Sequence, residues 1–283
     1  MSGRPDLTGH GPDLLAAARV VLVKPRFPEN IGMAARACAN MGIGGLNLVA
    51  PELWDTEHQE KALALATSQG EALLRGAGCF ESLRAAVADC HFVLGSTART
   101  GGWRRRVLSP TAAGGKIAER LTAGARIALV FGPEDRGLLN EEIELCTAIA
   151  CIPTATGASS LNLAQAVLIL TYECLKAVNE LEIGQSRPDE FSEARGAAPS
   201  PNLINHAEQE LLFTAMAKVL KIVDFLPQDN SDYFLLPLRE FVHNRPLKRG
   251  EFSMLMGVCR QILGAVERVG ATSRGNGPGE REP

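Results

Sequence analysis

Short apolar runs alternate with amphipathic stretches along the first part of the chain. Runs rich in β-branched residues predict five buried strands, at 19–23, 46–49, 92–94, 127–131 and 148–152. Apolar residues spaced three and four apart predict the intervening helices, at 30–41, 57–74, 82–88, 140–146 and 161–182, and 116–121 as the end of a further helix. Strands alternating with helices indicate an α/β fold with a mostly parallel sheet and helices on both faces.

The pattern changes after this alternating region. A tail at 1–18 precedes the α/β domain, which we place at 19–183, and a stretch rich in Pro, Ser and Ala at 184–202 is typical of a linker. Helical spacing without strand patterns then predicts a helical region over 203–269. Its predicted helices are 203–226, 232–243 and 249–268. The Gly-, Pro- and charge-rich end, 270–283, is expected to be disordered.

Composition indicates a cytoplasmic globular protein. Hydrophobic residues make up 46% of the chain and the mean hydropathy is +0.02. The longest apolar stretch, 161–178, is interrupted by polar and charged residues, so it is a poor membrane span. The first twelve residues contain no apolar segment, so we expect no signal peptide.

Cysteine and charge usage narrow the candidate functions. The 7 cysteines form no CxxC pair, which favours buried free thiols over disulfides and makes a metal site improbable. The net charge of −3 argues against a protein that coats nucleic acid through bulk positive charge, but it leaves room for a local basic patch.

Three stretches carry candidate chemistry. Asn30-Ile31-Gly32-Met33-Ala34-Ala35-Arg36-Ala37 opens a helix, and Arg36 points away from its apolar stripe. The segment 129–138 (LVFGPEDRGL) ends a buried strand in a glycine loop, and 152–167 (IPTATGASSLNLAQAV) joins a strand to a long helix through small residues. Ligands bind outside the carboxyl ends of strands in such sheets, and Gly allows close backbone approach. A converging pocket is therefore predicted.

Taken alone, each glycine loop is also typical of an ordinary turn, and Arg36 of a solvated surface arginine. The prediction of a pocket therefore depends on the three stretches together. No G-x-G-x-x-G follows the first strand and no G-x-x-x-x-G-K-[ST] occurs, which disfavours a nicotinamide-binding unit and a P-loop. The residues indicate neither a Ser-His-Asp set nor a Cys-His set.

Taken in order, the three motifs closely resemble those of SPOUT RNA 2′-O-methyltransferases of the TrmH class, most like the TrmJ branch. The resemblance covers about residues 19–180. It implies a C-terminal trefoil knot running from about 131 through the long helix, an exception to the rule that chains do not thread loops. It also implies S-adenosyl-L-methionine as methyl donor, S-adenosyl-L-homocysteine as product, and methylation of a ribose in the tRNA anticodon loop.

The resemblance further implies a homodimer, formed through the helix at 161–180, whose active sites draw on both protomers. The cofactor-binding residues it implies are Ser96, Thr97, Ala98, Gly132, Ile152, Ser159, Ser160 and Leu161. The catalytic set it implies is Asn30, Arg36, Glu134, Ser160 and Asn162, with Glu134 available to orient Arg36. A guanidinium does not deprotonate readily, so we expect Arg36 to hold a phosphate and stabilise the developing alkoxide rather than to act as a base.

RNA contacts are expected from basic side chains near the predicted pocket. These are Lys24, Arg26, Arg99, Arg104, Arg105 and Arg106, with Trp103 available to stack on a base. Basic positions in the helical region are Lys218, Lys221, Arg245, Lys248 and Arg249. Methylation of rRNA or of another tRNA position, an inactive knotted RNA-binding protein, and a small-molecule α/β enzyme remain as alternatives.

Overall fold

The structure is a computed structural model that describes residues 14–98, 107–155, 160–185, 202–226, 231–244 and 247–275. The chain divides into two compact units, Met1–Pro201 and Asn202–Pro283. We describe each unit by itself.

In the described part of the first unit, seven strands form one sheet in which every pairing is parallel. The strands are β1 (Ala18–Val23), β2 (Gly45–Val49), β3 (Gly78–Phe80), β4 (Phe92–Ser96), β5 (Val107–Leu108), β6 (Ile127–Phe131) and β7 (Ala148–Ala150). Their spatial order is β3-β2-β1-β6-β4-β7-β5. The predicted parallel sheet and its five strands are confirmed. β3 and β5 were not predicted, because each is too short to show a strand pattern.

Helices cover both faces of this sheet, as predicted. They are α1 (Pro28–Asn40), α2 (Thr56–Arg75), α3 (Leu83–Val87), α4 (Pro110–Thr122), α5 (Asn140–Glu144) and α6 (Leu163–Gln185). Alternate residues of β1 belong to different cores: Val20 and Leu22 pack with α1, α2, α4 and α6, whereas Val21 and Val23 pack with α3 and α5. This two-residue period is that of a strand buried on both faces.

The segment 116–121, predicted as the end of a helix, is confirmed as the last part of α4. Only the start of that helix, at Pro110, was not predicted. The Ser109 hydroxyl caps the first turn by accepting a hydrogen bond from the Ala112 amide at 3.2 Å. The small residues of this turn give little apolar periodicity, so the cap marks the helix start better than the hydrophobic pattern does.

Close backbone contacts set α1 against α2. A Cβ added at Gly32 would lie 2.1 Å from the Ala62 carbonyl oxygen, so only glycine fits there. Farther along α2, Thr67 has φ 63° and ψ 170°, which breaks the helix with a strained kink. The turn after the kink returns to α1, where a Cβ added at Gly70 would lie 3.0 Å from the Arg36 amide nitrogen. The last turns of α2 therefore pack directly on the backbone of α1 at Arg36.

The late strands insert between earlier ones. β6 lies between β1 and β4, and β7 lies between β4 and β5. A chain that threads back through its own loops needs such an interleaved order, and the trefoil knot from about 131 stays a prediction. The consequence for the site is that β6, β4 and β7 are adjacent, so their carboxyl ends open side by side.

The described part of the second unit is helical, with α7 (His206–Ile222), α8 (Ser231–Asn244) and α9 (Arg249–Gly275). The Asn205 side chain caps α7 by accepting from the Glu208 amide at 3.0 Å, and Arg249 donates to Glu208 at 2.7 Å. α9 continues to Gly275, beyond its predicted end at 268. The helical segment therefore extends past its predicted end, and disorder of the chain end stays a prediction.

The structure also bears on the expectations for the cysteines and for membrane-spanning helices. All 7 cysteines are free, and Cys38, Cys90, Cys146, Cys174 and Cys259 are buried, as predicted for most of them. Burial raises the pKa of Cys38, Cys90 and Cys174 to about 12, so these thiols are protonated at neutral pH. Among the helices of the described ranges, none is both long and apolar enough to cross a membrane.

Two adjacent glycines in α4 make a matched test of this packing. A Cβ at Gly114 would lie 2.4 Å from the Glu173 carbonyl oxygen on α6, whereas a Cβ at Gly115 would meet nothing within 4 Å. We expect Gly114→Ala to lower the free energy of unfolding by about 1–3 kcal/mol through overpacking. Gly115→Ala should raise it by roughly 0.5–1 kcal/mol, because alanine favours a helix interior. Urea unfolding measures both, and equal shifts would contradict the described contact between α4 and α6.

Candidate functional site

The site is built where three neighbouring strands end. β4 ends at Ser96, β6 at Phe131 and β7 at Ala150. The Thr97 amide donates to the Ala150 carbonyl at 3.0 Å, which holds the loop after β4 against the end of β7. All three loops leave the same edge of the parallel sheet, which is where ligands bind in open α/β folds.

A pocket of about 290 Å³ lies among these loops, and we call it the strand-end pocket. Its lining combines apolar side chains, hydroxyls, the carboxylates of Glu134 and Asp135, and the guanidinium of Arg136. The predicted cofactor residues that line it are Ser96, Thr97, Ala98, Gly132, Ile152, Ser160 and Leu161. The eighth, Ser159, lies outside the described residues. Loops from the three strand ends thus converge on one pocket.

Gly132 is required by the turn that forms one wall of this pocket. A Cβ added there would lie 2.2 Å from the Gly137 carbonyl carbon, and the Gly137 amide donates to the Pro133 carbonyl at 2.9 Å. Gly137 itself has φ 69°, a conformation that favours glycine. We expected glycine at 132 to admit a ligand to the backbone. The structure shows that it admits the backbone of its own turn.

A second depression of about 440 Å³ adjoins the first, and we call it the outer cleft. It is lined by Phe27, Glu29, Asn30, Glu134, Ser160, Leu161 and Asn162. Three residues, Glu134, Ser160 and Leu161, line both depressions. A group held in the strand-end pocket and a group held in the outer cleft would therefore meet across this shared wall.

Three polar side chains along the cleft form a hydrogen-bond chain that we call the amide relay. Asn162 Nδ2 donates to Asn30 Oδ1 at 2.8 Å, and Asn30 Nδ2 donates to Glu134 Oε1 at 2.7 Å. Asn162 Oδ1 also accepts from the Ala164 amide at 2.9 Å, which caps the start of α6. The other carboxylate oxygen of Glu134 accepts from the Arg26 amide at 3.1 Å. One residue from each of the three sequence motifs is thus fixed in a single network.

Arg36 stands apart from the other predicted catalytic residues. It is exposed on α1, six residues after Asn30, which corresponds to a rise of about 9 Å along a helix. In the part of the chain that the structure describes, it lies on the wall of neither depression. Glu134 was expected to be available as its orienting partner, but that carboxylate is occupied by Asn30 and the Arg26 amide.

The predicted RNA-binding residues fall into two groups. Arg26 forms ion pairs with Glu52 and Asp135, each at 3.3 Å, and its guanidinium carbon lies 6.0 Å from the centre of the Phe27 ring. Lys24 is half-buried, with φ 47°. Four others and the nearby tryptophan lie outside the described residues: Arg99, Arg104, Arg105, Arg106 and Trp103.

The basic positions of the second unit also differ in their surroundings. Lys218 and Lys248 are exposed, and Lys221 is half-buried. Arg249 is already paired with Glu208, and Arg245 lies outside the described residues. Arg249 is exposed as well, but its guanidinium is already engaged by a carboxylate, so Lys218 and Lys248 are the better candidates for a phosphate among the four positions that the structure describes.

Sequence reasoning missed several lining residues. Thr154 and Asp135 line the strand-end pocket, and Phe27 lines the outer cleft. Thr154 and Asp135 lie inside the motifs that were singled out, so loop position was an available signal for them. Phe27 carried no such signal, because one aromatic residue before a helix is usually core. Among the described residues, no group of three potential metal ligands is present.

Comparison with known proteins agrees with this arrangement. The pattern of the SpoU rRNA Methylase family matches residues 17–172. A tRNA (cytidine/uridine/adenosine-2′-O-)-methyltransferase TrmJ of Pseudomonas aeruginosa is 32% identical over 88% of this chain and 94% of its own. A tRNA (cytidine/uridine-2′-O-)-methyltransferase TrmJ of Sodalis glossinidius is 34% identical over 88% and 92%.

Solved structures give the same result for the fold. The crystal structure of TrmJ from Z. mobilis ZM4 superimposes with a TM-score of 0.67 at 28% identity, and the match covers 87% of this chain and 98% of that one. The resemblance inferred from the three motifs is thereby confirmed. Because the family pattern spans more than half of the chain, and because its relatives align over nearly their full length, the protein belongs to the SpoU rRNA Methylase family.

Proposed function

We propose that the protein transfers a methyl group from S-adenosylmethionine to a ribose 2′-hydroxyl of tRNA, in the anticodon loop as its motifs imply. The observation that carries the proposal is the wall shared by the strand-end pocket and the outer cleft, with the amide relay running along it. The named relatives are tRNA 2′-O-methyltransferases and align over most of this chain.

The residues of the strand-end pocket suit S-adenosylmethionine. Ile152, Leu161 and Ala98 offer apolar surface for an adenine, and the hydroxyls of Thr97 and Thr154 can bind its ribose or its polar tail. Glu134 supplies a negative charge that can face a sulfonium, whereas Asp135 is paired with Arg26 and Arg136 adds a positive charge to the lining. When bound, S-adenosylmethionine supplies an electrophilic methyl group on a positively charged sulfur.

The chain's own residues then have distinct tasks. Ser160, on the shared wall, is placed to hold the 2′-hydroxyl that lies in the outer cleft. Asn30 and Asn162 fix the geometry of that wall through the relay, so the hydroxyl oxygen stays aligned with the pocket. Glu134 orients Asn30 rather than Arg36. Stabilisation of the oxygen as it loses its proton falls to Arg36.

Arg36 can take this role only if it reaches a site that its own α1 does not form, and we propose that this is the site of a second protomer. α1 and α6 start side by side, joined by the Asn30–Asn162 hydrogen bond. Both carry large exposed apolar side chains, with Met33 44%, Leu168 41% and Tyr172 52% exposed. Exposed apolar surface on two adjacent helices supports a homodimer through α6 and its neighbour.

One alternative concerns the RNA. The family is described by rRNA methylation, whereas the relatives aligned above are tRNA enzymes, and the motifs that bind cofactor do not separate the two. An inactive RNA-binding protein is disfavoured because Asn30, Glu134, Ser160 and Asn162 are all present at one wall.

Incubation with S-adenosylmethionine labelled in its methyl group tests the function directly. Bulk tRNA should take up label, rRNA should not, and nucleoside mapping should place the label on a ribose. Label on rRNA alone would select the alternative substrate. Label on a base, or on neither RNA, would overturn the proposed reaction.

Substitutions at Asn162 separate the relay from the helix cap. Asn162→Asp can still cap α6, but it cannot donate to Asn30 and it brings a second carboxylate towards Glu134. We expect methyl transfer to fall at least about tenfold and the free energy of unfolding to fall by about 1 kcal/mol, the size expected for loss of one hydrogen bond. Asn162→Ala should lose activity too, and it should lose about 1 kcal/mol of stability more than Asn162→Asp because it also loses the cap. An active Asn162→Asp protein would show that the relay is not needed.

Mixed dimers test whether Arg36 acts across the interface. Arg36→Ala should abolish transfer and leave S-adenosylmethionine affinity nearly unchanged by calorimetry. Gly132→Ala should lose cofactor binding, because the new Cβ would lie 2.2 Å from the Gly137 carbonyl carbon. Each homodimer is then inactive. A dimer of one Arg36→Ala and one Gly132→Ala protomer should regain activity, since it contains one complete site; without recovery, Arg36 serves its own protomer.

A further inference from the structure

Phe27 is a large apolar side chain that packs into neither core of the fold. It stands at the N-cap position of α1, where Ser, Thr, Asp or Asn is preferred, and its side chain makes no capping hydrogen bond. Its backbone carbonyl accepts from the Asn30 and Ile31 amides, a task that any residue can perform. The ring is 52% exposed and does not belong to either core. Neither helix capping nor core packing accounts for an aromatic residue here.

The surroundings of the ring are held in place. The Arg26 amide, one residue earlier, donates to Glu134 of the amide relay at 3.1 Å. The Arg26 side chain is anchored by Glu52 and Asp135, and its guanidinium carbon lies 6.0 Å from the ring centre. Pro28 follows directly and fixes its own backbone at the first turn of α1. The ring therefore belongs to a rigid segment that is hydrogen-bonded to Glu134 on the shared wall.

The ring lines the outer cleft together with Asn30, Ser160 and Asn162. In the proposed function, this cleft receives the nucleotide whose 2′-hydroxyl reaches the shared wall. The base of that nucleotide then needs a place in the same cleft. Every base has a flat π-face, and unstacked RNA bases are commonly bound on aromatic side chains. Phe27 offers such a surface without a hydrogen-bonding group of its own.

We propose that Phe27 is the stacking platform for the base of the nucleotide that is methylated. This inference rests on the proposed function and adds the residue that holds the base. A phenyl ring reads no donor or acceptor pattern, so Phe27 secures the nucleotide without selecting among bases. Selection among bases is left to polar groups of the cleft such as Glu29.

Steady-state kinetics with the tRNA substrate test the assignment through four substitutions. Phe27→Ala and Phe27→Leu should each lower kcat/KM for tRNA about tenfold, the size expected from loss of one base–aromatic stack. Phe27→Tyr and Phe27→Trp should stay within about threefold of wild type, because each keeps an aromatic face. Leu53→Ala is the matched control, since Leu53 is 48% exposed but lines neither depression. It should have no effect.

A substrate without the base gives an independent readout. With an abasic ribose at the mapped position, the wild-type enzyme should fall to the level of Phe27→Ala on intact tRNA, and Phe27→Ala should lose nothing further. Additive losses would show that the ring and the base do not touch. Full rescue by leucine would show that apolar surface, not stacking, is what matters.

Two measurements distinguish base stacking from a structural role of the ring. S-adenosylmethionine affinity and dimer mass should be unchanged in Phe27→Ala. Loss of the dimer would assign the ring to a contact between protomers and overturn the inference. If the wild-type protein methylates no tRNA, the proposed function itself fails; if it does and Phe27→Ala is equally active, only the role of Phe27 fails.

Discussion

The hydrogen bonds from Asn162 through Asn30 to Glu134 join segments that are 132 and 104 residues apart in the chain. Each bond connects groups that could not meet through local structure, and the last one ends on a carboxylate, which strengthens it. The start of α6, the start of α1 and the turn after β6 are thereby fixed to each other. The remaining geometry of the two depressions depends on this attachment, because these three segments form the wall between them.

Glycines allow close backbone contacts in the segments that carry the site residues. Gly132 lets its turn fold onto Gly137, and Gly32 lets α2 approach α1 at the Ala62 carbonyl. Gly70 brings the turn after the Thr67 kink against the backbone of Arg36. A strained residue persists only where its surroundings enforce it. Here the strained residue precedes the turn that packs on the backbone of Arg36, the one predicted catalytic residue that its own chain does not bring to the cleft.

The placement of charge around the site also has a physical consequence. The carboxylates of Glu29, Glu134 and Asp135 line the pocket and cleft, together with the guanidinium of Arg136. Arg26 is held by Glu52 and Asp135 rather than free for a phosphate. A chain with net charge −3 cannot attract RNA by its overall field, so binding must depend on shape, stacking and a few well-placed cations. An aromatic platform such as Phe27 suits that constraint, since stacking does not require a basic surface.

The sequence by itself determined the parallel α/β fold, five of the seven strands, the helical second unit and the family, because periodicity and motif order are local properties of the chain. It also identified Ser96, Gly132 and Ile152 as neighbours, since loops at the carboxyl ends of parallel strands share an edge. Only the tertiary structure decided that Glu134 binds Asn30, that Arg36 stands outside its own cleft and that Phe27 lines it. Those outcomes depend on strand order and on the direction each loop takes, which side-chain spacing along the sequence does not encode.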